Sequence, residues 1–322
     1  MSAGGLRIGW VESPLQLINA VEAASHRAEE TRILLRDGVA QLADTAAWLE
    51  PHLPGGVTLA MAASATDRAF RDARRRLVGD AFSGQFRAVV AATGVRDLVV
   101  VDDGSAALHL AAVLAGHERF SRMGQREPLR QRMLGAVVGA RLRAAARAGD
   151  VTLVTAYAED PAMAALAGAR IVPNAYAWLR SLDADPPVAL PATVVLGSAL
   201  AVDGYVDAAA YERWATSHPA GTAYLPHRRE GGESLGRLSA GGLEVLEPGL
   251  PAEIVLGMAR GLAHVSSLPS STGATLARVL PAGARLDVTP VPDAWWTARA
   301  DATFRSTLAS LASNDDASTE EA

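Results

Sequence analysis

The chain alternates short apolar runs with longer stretches in which apolar residues recur every three or four positions. Residues 6–12, 32–35, 57–62, 97–101 and 151–156 read as strands. The run Leu98-Val99-Val100-Val101 is the clearest, because β-branched side chains suit a pleated surface buried on both faces. Between these runs, residues 14–23, 39–49, 66–92 and 106–114, and the chain up to about 148, carry helical spacing. Ser13 fits a helix N-cap and Pro14 the first helical position. Strands alternating with helices predict βαβ units, a parallel sheet and right-handed crossovers.

The alternation stops at residues 183–191, where Pro186, Pro187 and Pro191 can continue neither a helix nor a central strand. It then resumes. Strands are predicted at 192–196, 222–225, 243–246, 262–267 and 286–291, and helices at 206–218, 231–238, from 252, 274–279 and 293–311. The expected fold class is therefore α/β, with two Rossmann-like lobes, a central cleft and a C-terminal helix. The expected domains are 1–185 for the acceptor and catalytic base, 186–313 for a nucleotide donor, and a disordered acidic tail at 314–322.

Composition narrows the chemistry. The 322 residues contain no cysteine, which excludes disulfides and zinc–thiolate sites. Every basic side chain other than histidine is arginine, so a P-loop, a Schiff-base lysine and a lysine general base are excluded as well. The abundance of alanine and arginine suggests a GC-rich genome, which lowers the weight of any single arginine. A net charge of −5 argues against general nucleic-acid binding. No secretory leader or membrane span is visible, so a cytoplasmic location is expected. Arginines 119, 122, 126, 130, 132, 141, 143 and 147 form a basic stretch with few acids. It reads either as a solvated helix face or as a surface for an anionic acceptor or for headgroups on the inner face of the membrane.

Candidate chemistry sits where strands end, since ligands of open α/β sheets bind outside the carboxyl ends of the strands. Asp102-Asp103-Gly104-Ser105 follows the clearest strand and precedes a helix. Asp103 or Ser105 could cap that helix, yet two adjacent acids exceed what capping needs. Glu12, Gln16 and Asn19 are polar groups at the first strand-to-helix turn. In the second lobe, one strand ends at Gly197-Ser198 and another at Pro226-His227-Arg228-Arg229-Glu230. His227 could bind phosphate or donate a proton to it, with Arg228 beside it, or be merely structural. Ser270-Ser271-Thr272-Gly273 opens a helix, which suits a phosphate or an ordinary cap. Glu253, near another helix start, could accept bonds from a ribose or simply favour the first turn.

Taken in order, these motifs resemble those of the bacterial sialyltransferases and polysialyltransferases. Asp102-Asp103-Gly104 resembles the family's acid-acid-Gly motif, His227 its histidine motif and Ser270-Ser271 its Ser-Ser/Thr motif. Glu12-Ser13-Pro14-Leu15-Gln16-Leu17-Ile18-Asn19-Ala20 and Tyr224-Leu225-Pro226-His227-Arg228-Arg229-Glu230 are similar to the polysialyltransferase type. One departure stands out: the family's His-Pro is His227-Arg228 here, with the proline in front. The resemblance implies a glycosyltransferase B fold, a CMP-sialic acid donor or a related CMP-sugar, a glycan acceptor, and inversion with neither metal nor cofactor. It assigns proton abstraction to Asp102 or Asp103, with Asp103 favoured. The CMP phosphate falls to His227, Ser270 and Ser271, and the ribose to Glu253. Gly197, Ser105 and Arg228 complete the expected donor-binding set. A nucleotide-sugar isomerase or hydrolase of the same fold, or a non-catalytic nucleotide-sugar binder, are the alternatives.

Overall fold

The computed structural model describes residues 5–122, 127–247, 249–306 and 308–309. The chain divides into two compact units, Met1–Leu182 and Asp183–Ala322. The acidic tail expected at 314–322 lies outside the described residues, as does Arg126 of the basic stretch.

The first unit begins with β1 (Arg7–Val11), α1 (Pro14–Ser25), β2 (Thr31–Arg36), α2 (Ala40–Leu49) and β3 (Val57–Ala62). Then come α3 (Arg68–Arg71), β4 (Arg76–Val78), α4 (Gly84–Thr93) and β5 (Leu98–Val101). It closes with α5 (Ala106–Ala115), α6 (Leu129–Arg147), β6 (Val151–Thr155), α7 (Pro161–Ala164), β7 (Arg170–Pro173) and α8 (Ala177–Arg180). The seven strands are all parallel, in the order β3-β2-β1-β4-β5-β6-β7. Strands β1, β4 and β5 are buried along their whole length, and β5, apolar throughout, is the one that reads as an unbroken apolar run. The order reverses between β1 and β4, the topological switch point where open α/β sheets hold ligands. Trp10, Val78 and Val100 lie in one register row, so the loops that follow these strands emerge side by side.

The expected helix over 66–92 is instead α3, β4 and α4. Arg76, at the head of β4, interrupts any apolar run there, yet this side chain is only 6% exposed. Its guanidinium donates to the carbonyls of Phe70, Arg71 and Gly94 and to the Thr93 hydroxyl. A charge with four of its five N–H donors bonded inside can head a buried strand. Strand β7, at the sheet edge and partly exposed, has too weak a pattern to read from sequence.

The second unit contains β8 (Thr193–Leu196), α9 (Ala199–Val202), α10 (Ala208–Ala215), β9 (Ala223–Leu225) and α11 (Gly232–Ala240). It continues with β10 (Glu244–Val245), α12 (Ala252–Gly257), β11 (His264–Ser267), α13 (Gly273–Val279) and β12 (Arg285–Val288). Its five parallel strands run β10-β9-β8-β11-β12, the same winding, with its own switch point between β8 and β11. Val195, Ala215, Tyr224, Leu238 and Leu243 form part of its core. The predicted helix over 293–311 is shorter. Asp293–Trp295 is a 3-10 turn, Trp296 bridges to Val206, and helix resumes at 302–306. Trp295 and Trp296 pack beside Tyr211 and Leu268, so their apolar spacing reflects this docking rather than a helix face. No described helix is long and apolar enough to cross a membrane.

Candidate functional site

In the first unit, acids follow the two strands that flank the switch point and the next strand over: Glu12 after β1, Asp80 after β4 and Asp103 after β5. Their loops interlock. Ser13 caps α1 by accepting from the Gln16 N–H, and the Gln16 side-chain oxygen accepts from the Glu12 N–H at 2.7 Å. Gly79 packs on the same glutamine so closely that a Cβ there would lie 2.4–2.5 Å from its Cβ, Cγ and Oε1. Only glycine allows that approach. Asp80 accepts from the Phe82 N–H at 2.7 Å and pairs with Arg122. Asp103 accepts from the Ser13 hydroxyl at 3.4 Å.

The two adjacent aspartates occupy different surroundings. Asp102 is 1% exposed, and its Oδ2 accepts from the Ala156 N–H at 2.5 Å. Its carbonyl accepts from the Asn19 amide at 3.0 Å. Asp102 thus ties the end of β5 to the end of β6 and to α1. Asp103 is only half-buried and feels the charge of Asp80. Burial, then the Asp80 charge, push its carboxyl up from 3.8 to about 6, against the pull of Gln16, Arg122 and Ser13. Burial also raises Glu12, with Asp80 adding to it, while Trp10, Arg36 and Arg122 oppose. A carboxylate held near 6 can take a proton from a substrate at neutral pH and still release it.

The capping alternative does not account for the second motif position. Ser105 stands at the N-cap of α5 but makes no side-chain cap bond. Asn19, part of the first-turn polar set, is wholly buried and also accepts from the Asn174 amide at 3.0 Å, a bracing role. Glu22, one turn on, accepts from the N–H groups of Trp178 and Leu179 at the start of α8. Asp80 escaped sequence reading because β4 was hidden in an expected helix. Its signal was nonetheless present: Leu77-Val78-Gly79-Asp80 is a short apolar pair followed by glycine and an acid.

In the second unit, β8 and β9 are adjacent strands, and their loops meet at Gly197 and His227. A Cβ on Gly197 would lie 2.4 Å from the His227 nitrogen and 2.3 Å from a Glu230 carboxylate oxygen. Glu230 accepts from the His227 N–H and from the Tyr224 hydroxyl, both at 2.6 Å. The Tyr224 and Tyr211 hydroxyls are 2.6 Å apart, and Tyr211 accepts from the Ser198 N–H at 3.0 Å. This buried relay fixes the histidine backbone. Burial raises Glu230 and both tyrosines. Burial, Arg229 and Arg228 lower His227, so its ring is neutral at neutral pH. Nδ1 accepts from the Arg229 N–H at 3.3 Å, which leaves the proton on Nε2 as a donor. Arg229 pairs with Asp203 at 2.5 Å, whereas Arg228 is exposed. Tyr224 stood out in sequence only as the first residue of the Tyr224–Glu230 motif and Tyr211 not at all, since a hydrogen-bonded tyrosine and a packed one look alike in sequence.

Ser270 and Ser271, half-buried, follow β11, the strand on the other side of β8. The Ser270 hydroxyl accepts from the Thr272 N–H at 3.3 Å. Glu253 is 5% exposed in the first turn of α12, and burial raises its carboxyl. The structure brings Gly197, His227 and Glu230 into one cluster. It puts Ser270 and Ser271 at the neighbouring strand end, and Glu253 in the interior. Among the described residues, no group of three or more His, Asp or Glu is placed to hold a metal ion.

No protein-family profile matches the sequence, and no curated protein does. Solved structures do. A UDP-glucosyltransferase from Polygonum tinctorium capable of glucosylating indoxyl, solved in complex with 3,4-dichloroaniline, aligns over 98% of this chain and 84% of its own, with 11% identity and a TM-score of 0.50. A Phytolacca americana protein solved with UDP-2-fluoro-glucose and pterostilbene aligns over 89% and 81%, with 14% identity and a TM-score of 0.44. An Arabidopsis thaliana protein solved with UDP-L-rhamnose aligns over 98% and 95%, with 11% identity and a TM-score of 0.39. The first of these carries the argument, and at such identity it establishes fold: two parallel-sheet α/β units of the glycosyltransferase B type.

Proposed function

We propose that this chain is an inverting glycosyltransferase that moves sialic acid, or a related acidic sugar, from CMP to a glycan hydroxyl without a metal. The observation that carries the reading is the Asp103 carboxyl, poised at about 6 beside a switch point. Asp103 takes the proton of the acceptor hydroxyl, whose oxygen forms the new bond to the anomeric carbon. The bond from that carbon to the CMP phosphate breaks, and the electron pair leaves on the phosphate oxygen. Nε2–H of His227 donates to that phosphate, with Arg228, Ser270 and Ser271 adding charge and hydroxyls. Asp102 holds the end of β5 so that its neighbour keeps its aim. Glu253, being buried, reaches a ribose only if α12 shifts.

The donor is read from the resemblance to sialyltransferases, and the fold likeness to a UDP-glucosyltransferase favours UDP as the second choice. Thermal shift against CMP, UDP, GDP and ADP separates them, since a ligand bound only by the native state stabilises by about 2.7 kcal/mol at a hundredfold excess over Kd. Stabilisation by CMP alone supports the proposal, and stabilisation by UDP alone replaces the donor. His227→Ala is expected to weaken the CMP response. Turnover of CMP-sialic acid without an acceptor would make the chain a hydrolase, and binding without turnover would make it a binding protein.

A further inference from the structure

Helix α6 carries an apolar stripe on the side that faces away from the core. Leu129, Met133 and Val137, spaced four apart and therefore on one face, are 63%, 63% and 48% exposed. Ala136 and Ala140 continue the stripe and are also exposed. The opposite face, with Val138, Leu142, Ala145 and Ala146, is buried in the unit. The helix is thus apolar on two sides, and only the inner one is explained by the fold.

The charge pattern says what suits the outer side. The 19 residues of α6 include five arginines and no acid. At about 100° per residue, Arg130 and Arg141 border one edge of the stripe and Arg132 and Arg143 the other. Arg141 and Arg143 reach back to carbonyls of Val90 and Val113. Arg130, Arg132 and Arg147 make no ion pair among the described residues. The nearest acids before α6 are engaged: Glu118 with His109 at 2.8 Å and Glu127 with Arg87 at 2.6 Å. A second copy of the stripe would set arginine against arginine, which disfavours self-association.

We propose that α6 docks on an anionic lipid bilayer surface. Its Leu-Met-Val stripe enters the headgroup boundary, and Arg130 and Arg132, one on each edge, reach lipid phosphates, their aliphatic stems lying along the apolar surface. This binding is independent of the catalytic reading, because it uses none of the strand-end residues.

The test is co-sedimentation of the full chain with phosphatidylcholine vesicles, with and without phosphatidylglycerol. Binding is expected only to the phosphatidylglycerol vesicles, with release in high salt as the exposed charges are screened. Arg130→Gln and Arg132→Gln should each weaken partitioning about fivefold. Met133→Ser with Val137→Ser should weaken it by about tenfold or more, without lowering the melting temperature, since all four positions are exposed. Failure to pellet with the anionic vesicles, equal pelleting with neutral ones, or unchanged binding by the variants would overturn the proposal. So would a concentration-dependent dimer abolished by Met133→Ser, which would assign the stripe to a second copy.

Discussion

Replacing Asp103 by Asn should make the protein more stable and inactive at once. A carboxyl raised from 3.8 to about 6 keeps its proton in the native state over a pH range where the unfolded chain has released it. Native stability from this group is therefore greatest below 3.8 and falls as pH rises through about 6. At about 1.4 kcal/mol per pH unit, the full span corresponds to about 3 kcal/mol. Asp103 is only half-buried, so solvent screening trims this to about 1–2 kcal/mol. The hydrogen bond from Ser13, long at 3.4 Å, costs little to lose. Asparagine does not titrate. Its advantage should be near zero at about pH 4 and open to about 1–2 kcal/mol at about pH 8. Urea unfolding at the two pH values measures this difference, and equal slopes m would show that the unfolded state is unchanged. Transfer by the same variant should fall about 10²–10⁴-fold, while nucleotide binding persists. An Asp103→Asn protein equally destabilised at both pH values would refute the electrostatic reasoning. One that kept full activity would refute the assignment of the base.

Three further outcomes follow from the same geometry. The kcat/KM of the wild-type protein should fall on its acid limb with an apparent pKa of about 6, and Arg122→Gln should move that limb upward, because Arg122 favours the charged form of Asp103. Tyr224→Phe strands the Glu230 and Tyr211 partners, and should cost about 1–3 kcal/mol in chemical unfolding while weakening nucleotide affinity through the His227 loop. Gly79→Ala drives a methyl into Gln16 and should lower stability by about 1–3 kcal/mol, read by thermal melting, with loss of transfer as the Glu12 loop shifts.

What could be read from sequence followed the strength of the local signal. Ser13 and Pro14 open α1 as their chemistry requires, and the Leu98–Val101 run forms the expected buried strand. The strand-end logic led to Asp103 and His227 because short apolar runs followed by polar turns mark the carboxyl edge of a parallel sheet. It failed for Asp80, since a three-residue strand headed by an arginine has no periodicity to detect. Side-chain burial was not legible either. Asp102 and Asp103 are neighbours with the same chemistry, and only the tertiary fold makes one a brace and leaves the other open. For the same reason Glu253 read as accessible, though its helix start is inside the unit. The two tryptophans at 295–296 mimicked a helix because docking onto Tyr211 and Leu268 sets their spacing.

The guanidinium of Arg76 knots the end of α3, the start of β4 and the end of α4 by filling four separate oxygen acceptors. An ammonium group is a single point and cannot serve partners spread around a planar fork. Codon bias is thus not the whole reason this gene writes arginine where others could write lysine. Here the wider cation is built into the backbone path, and a drift of base composition that recoded it would detach the segment that delivers Asp80.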